Sequence, residues 1–158
     1  MKSLIVYGSH HHGNTEKLVN FLAEKNDITL VNAENESDVD FDDYDLIGFA
    51  SGIDFGKFYP QVTDLAEKLP SGKYVYSLYT CGMDSEKYGK QIAEIAEKRD
   101  CVFLGKFGCK GYDTYGPWKI IGGINKSHPS QKELDEACDF YENSLLANVS
   151  SKTPAGHY

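Results

Sequence analysis

The chain carries no C-x-x-C pair. Its four cysteines, Cys81, Cys101, Cys109 and Cys138, stand well apart, so neither a zinc site nor a dithiol redox motif is encoded. Cys101, Cys109 and Cys138 fall in apolar strand or helix patterns and are expected to be reduced core residues. No apolar run approaches the ~20 residues of a membrane span. No N-terminal signal pattern is visible, since Lys2 is followed at once by a strand pattern, and a cytoplasmic protein is expected. Positive charge is scarce: 16 Lys and Arg against 24 Asp and Glu give a formal net charge of −8. That balance argues against nucleic acid and against an anionic membrane surface. Internal repeats and low-complexity segments are missing as well. The 158 residues suit one domain with a single core, expected over residues 1–149, and a polar tail at Ser150–Tyr158.

What is present is an alternation. Short apolar runs at Ser3–Tyr7, Ile28–Val31, Leu46–Ala50, Tyr74–Tyr79 and Cys101–Cys109 read as strands. Most are near-continuous rather than alternating, as in a parallel sheet covered on both faces. Ile28–Val31 is shorter and flanked by polar residues, which suits an edge. Helical spacing predicts helices over Asn14–Lys25, Lys57–Leu69, Ser85–Arg99 and Gln131–Leu146. Right-handed crossovers turn such an alternation into a doubly wound, three-layer α/β/α domain. Ligands of these sheets bind beyond the carboxyl ends of the strands, where the strand order reverses.

The first strand leads into Ser9-His10-His11-His12-Gly13-Asn14-Thr15 and then into the first helix. A polar, glycine-containing loop feeding a helix is an anion cradle, because the first helical N–H groups lack intrahelical partners and the macrodipole is positive there. Ser9, Asn14 and Thr15 add neutral donors, and no Lys or Arg lies in the loop. The loop has neither the lysine of a G-x-x-x-x-G-K-[ST] nucleotide loop nor a G-x-G-x-x-G dinucleotide fingerprint. Two readings remain: a phosphate loop lined by hydroxyls and amides, or a plain helix cap without a ligand.

Tyr7-Gly8-Ser9 and Gly13-Asn14-Thr15-Glu16 resemble the first loop of the flavodoxins, a Ser/Thr run with Gly-Asn-Thr that takes the 5′-phosphate of FMN. His10-His11-His12 depart from that pattern by replacing the usual hydroxyl residues. The resemblance implies a five-stranded parallel sheet in the order 2-1-3-4-5, with FMN as cofactor. It also implies that Ser51, Gly52, Ile53, Asp54, Phe55 and Gly56 line one face of the flavin ring. Either Gly52 or Gly56 then supplies the peptide that turns its carbonyl or N–H toward flavin N5. Phe55 and Phe58 are candidate ring contacts, although Phe58 suits a core position equally well. Thr80, Cys81 and Gly82 are implied contacts to the pyrimidine edge. Cys81 has no motif that supplies a His or Asp partner for a nucleophile.

After the fifth strand, residues 110–130 show no periodicity, and a stretch of that length is functional or disordered. Its aromatic density favours folding beside the site, with Tyr112, Tyr115 or Trp118 shielding the ring. The histidine run is a poor metal site, because adjacent residues on one loop seldom converge. One or two of His10, His11 and His12 are expected to cap the phosphate or the ribityl chain.

Seven carboxylates crowd Glu34–Asp45 without the glycine and terminal glutamate of a calcium loop, and read as a solvated acidic surface. In an electron carrier such a surface would dock basic redox partner proteins. The sequence therefore points to an FMN-binding electron-transfer protein. An FMN-dependent oxidoreductase using NAD(P)H and a quinone is the alternative, and a cofactor-free interaction module is a third. A phospho-acceptor receiver needs acidic residues where Ser9 and Ser51 stand, and a tyrosine phosphatase needs Cys and Arg around the first loop.

Overall fold

The computed structural model describes residues 1–10, 13–82, 85–111 and 128–149. The apolar runs form strands β1 (Ser3–Gly8), β2 (Ile28–Asn32), β3 (Leu46–Asp54), β5 (Tyr74–Cys81) and β6 (Val102–Lys110), with a short β4 (Lys57–Phe58). β1 and β5 are buried along their whole length, which only a sheet covered on both faces allows. The parallel order is β2-β1-β3-β5-β6, the expected doubly wound arrangement. β4 is an addition: it pairs antiparallel with the end of β3, off the main path.

Successive side chains of β1 go to opposite faces, and each face builds its own core. Leu4 and Val6 pack with Val62, Leu65, Ile92 and Ile95 of helices α2 (Pro60–Ala66) and α3 (Lys90–Lys98). Ile5 and Tyr7 pack with Leu18, Val19 and Leu22 of α1 (Asn14–Lys25), and with Leu134 and Ala137 of α4 (Gln131–Asp139). Each fully buried Leu or Ile side chain stabilises the domain by about 1.5–3 kcal/mol relative to exposure.

Helix α1 keeps its expected bounds, while the other three change. The helix expected over Lys57–Leu69 begins only at Pro60. Lys57 and Phe58 are drawn into β4 because β3 runs on to Asp54 and turns back through Phe55-Gly56. Both turn residues have positive φ (52° and 78°), the type I′ geometry that matches the twist of paired strands. Pro60 then occupies the helix start, where its missing N–H costs nothing. The helix expected from Ser85 starts at Lys90, after Gly89 takes a left-handed conformation (φ 84°). The last helix passes through a π segment at Phe140–Leu145 into α5 (Leu146–Val149). That segment sets Phe140 against Phe107, with ring centroids 5.7 Å apart, and brings the Tyr141 hydroxyl to Ser3 Oγ at 2.8 Å.

One packing choice in the second core is costly. A Cβ on Gly48 would lie 2.4 Å from Tyr76 Cζ, so the phenol crosses the sheet where only glycine leaves room. The Tyr76 hydroxyl is buried with no hydrogen-bond partner among the described residues, a loss of about 1–3 kcal/mol.

Candidate functional site

The carboxyl end of β1 and the start of α1 form an open cradle. Gly13 is the N-cap, left-handed at φ 65° and ψ 28°, and supplies no side-chain cap. Among the described residues, a Cβ there would meet nothing within 4 Å. Ser9 Oγ accepts the Glu16 N–H at 3.1 Å, which holds the loop to the helix. Thr15 is buried and its Oγ1 stands 2.8 Å from Oγ1 of Thr80, also buried, at the end of β5. That bond joins the loop after β1 to the strand next to β3, across the place where the order reverses. The Asn14 side chain packs so closely on Gly111 that a Cβ on the latter would lie 2.5 Å from Asn14 Nδ2.

His10 is tied in place. Its Nδ1 lies 2.6 Å from Glu34 Oε1, just past β2, and its ring packs on Tyr59 at 4.3 Å between centroids. The imidazole is thus engaged with a carboxylate and a phenol. His11 and His12 lie outside the described residues, as do Tyr112, Tyr115, Trp118 and the polar tail.

The segment expected to be an open ring-lining loop is largely strand. Gly52 pairs with Thr80, Ile53 with Phe58 and Asp54 with Lys57. Ser51 is fully buried; its Oγ donates to the Gly52 carbonyl at 2.6 Å and accepts the Tyr59 N–H at 2.9 Å. A Cβ on Gly52 would come within 2.4 Å of the Tyr59 hydroxyl, so packing alone explains this glycine. Gly56 is explained by its left-handed turn conformation instead. Phe55, at the hairpin tip, is 83 % exposed, whereas Phe58 is buried in the core. Cys81 is buried with Sγ turned to the Cys109 carbonyl at 3.6 Å, and Gly82 follows at the half-exposed edge. Burial pushes the Cys109 thiol well above its ordinary range, so this cysteine stays protonated.

Tyr59 is the residue that sequence reasoning missed. In the sequence it falls inside the helix expected over Lys57–Leu69, yet it precedes the proline that starts α2 and touches Gly8, His10, Ser51 and Gly52. Burial pushes its hydroxyl up to about 12, partly offset by the hydrogen bond from the His10 backbone. The phenol is therefore neutral at physiological pH.

Hydroxyls of Ser9, Thr15 and Thr80, with the amides at the start of α1 other than that of Glu16, fit a phosphate ester: neutral donors at a helix N-terminus. No group of three or more metal-ligating side chains forms among the described residues. A groove of about 400 Å³ lies elsewhere, beside β2, lined by Glu36, Asp38, Asp40 and Asp43 over Leu30 and Val39. Its carboxylates suit cations rather than a phosphate, and it lies away from the convergence of the β1, β3 and β5 ends.

Comparison with known proteins bears on the family and the fold. Residues 4–115 match the family model described as a flavodoxin domain. An uncharacterized protein of Methanocaldococcus jannaschii is 36% identical over 151 residues, covering 94% of this chain and all of that one. A flavodoxin-like domain-containing protein, BilS, of Clostridioides difficile is 25% identical over 92% of this chain and 97% of its own length. A flavodoxin of Streptococcus pneumoniae superposes with a TM-score of 0.64 at 14% identity, covering 94% of this chain and 99% of that one. With its sheet order and this match over most of its length, the chain belongs to the flavodoxin family.

Proposed function

We propose that the protein binds FMN at the carboxyl edge of its sheet and transfers electrons through it. The observation that carries this reading is the Thr15–Thr80 bond, which brings the neutral-donor loop and the end of β5 together at the switch point. Ser9, Thr15 and the first amides of α1 hold the phosphate, with His10 at the rim beside Glu34. The hairpin formed by β3 and β4 supports the ring, with Phe55 at its tip. Gly52 is locked in the ladder against Thr80, so the Phe55–Gly56 turn is the peptide assigned to face flavin N5. The flavin, when bound, supplies the redox chemistry; the chain supplies orientation and charge. Asp54, on the hairpin, puts negative charge near the ring, which opposes adding further negative charge and lowers the second potential.

Purified protein reconstituted with FMN should quench flavin fluorescence at a one-to-one ratio and show a perturbed flavin absorption spectrum. Protein that leaves the fluorescence of added FMN unchanged refutes the proposal. Steady-state NADH oxidation with menadione separates the two uses of the site: a carrier shows no turnover, whereas an NAD(P)H-dependent oxidoreductase does.

A further inference from the structure

Tyr59 lies between the two loops assigned to the ligand and is almost wholly buried (5 %). On one side it holds the end of β1. Its ring packs on His10, its hydroxyl accepts the His10 backbone N–H, and a Cβ on Gly8 would sit 3.1 Å from its Cδ2. On the other side it holds the end of β3, through its N–H to Ser51 Oγ and its hydroxyl over Gly52. One residue therefore bridges the loop after β1 and the base of the hairpin, with its side chain against Gly8, His10 and Gly52 and its backbone N–H on Ser51.

The spacing matters because the loop has no lysine or arginine among Ser9–Thr15. A cation attracts a dianion from many positions, but neutral N–H and O–H donors hold it only at correct distance and angle. Their affinity depends on being held in place before the ligand arrives. We propose that Tyr59 is a positioning residue that fixes the phosphate loop relative to the ring-binding hairpin, and that it thereby sets the preference for the phosphorylated flavin over free riboflavin. This inference rests on the FMN reading above. If Tyr59 only filled the core, its loss would lower stability and weaken both flavins alike.

The test uses the full chain, titrated with FMN and with riboflavin while flavin fluorescence is followed, with thermal melts of the ligand-free proteins alongside. Tyr59→Phe keeps the ring against His10 and removes only the hydroxyl. It should weaken FMN about tenfold, the worth of one well-placed hydrogen bond, and riboflavin by less than about twofold. Gly52→Ala, whose methyl pushes the same hydroxyl away, should show the same selective loss. That loss should shrink in the Tyr59→Phe background, because the two changes act on one contact. Equal weakening of both flavins, or unchanged FMN binding, overturns the inference and leaves the FMN assignment standing. A wild-type protein that binds neither flavin removes the assignment itself, and the inference with it.

Discussion

At the scale of single residues, Phe55 carries the clearest tension between folding and use. It is a large side chain held at φ 52°, in a turn position where Asn, Asp or Gly is the ordinary choice, and it is 83 % exposed. Such a conformation costs a bulky residue on the order of 1–3 kcal/mol and persists where something other than stability keeps it. Contact with a bound ring would be that reason. Phe55→Asn should raise the stability of the ligand-free protein by about 1 kcal/mol, read as a higher urea midpoint, and should weaken FMN binding. A variant that is both no more stable and equally tight for FMN would remove Phe55 from the site. The sequence shows the aromatic and the glycine side by side but not the turn; the positive φ appears only because β4 closes on β3.

At the scale of elements, Glu133 fastens the end of β6 to the start of α4. Its Oε1 accepts from the Ser130 N–H and Oγ, both at 3.1 Å, and pairs with His128 Nδ1. Its Oε2 accepts the Lys110 N–H at 2.8 Å. Ser130 and Glu133 form a reciprocal capping box, and the second carboxylate oxygen reaches across to Lys110. Burial alone would raise the Glu133 pKa, but the bonds from His128, Ser130 and Lys110 outweigh it and hold the carboxyl below its ordinary value. A depressed folded pKa means that the unfolded chain binds the proton more readily. The stabilisation is therefore complete above the unfolded pKa of about 4.3 and fades as pH falls through the folded value. Glu133→Gln should cost about 1–2 kcal/mol at pH 7, and its deficit against wild type should shrink as pH drops below about 4. Urea melts at several pH values would show a constant deficit if the carboxylate were not responsible.

At the scale of the whole molecule, the formal charge of −8 and the carboxylates at 34–45 give the protein a field that attracts cations. We propose that its redox partners present basic surfaces. The rate of electron transfer from the reduced, FMN-loaded protein to a basic haem protein should then fall steeply as ionic strength rises and the Debye length shortens from about 30 Å to about 8 Å. A rate independent of salt would argue that the acidic surface serves solubility alone. No helix among the described residues is long and apolar enough to cross a membrane.

The doubly wound sheet was legible because it is written in local periods. Continuous apolar runs mark strands buried on both faces, 3.6-residue stripes mark the helices, and the Gly-Asn-Thr loop marks the family. Those signals need no knowledge of what lies across the fold. The site needed the tertiary structure, because its decisive contacts join residues far apart in the chain: Thr15 to Thr80, Glu34 to His10, and Tyr59 to the ends of β1 and β3. Phe58 fits a core or a ring contact equally well as a letter in the sequence, and Gly52 fits a flexible loop. Only close packing, where a Cβ at 2.4 Å from a hydroxyl is forbidden, assigns the phenylalanine to the core and the glycine to the space under Tyr59.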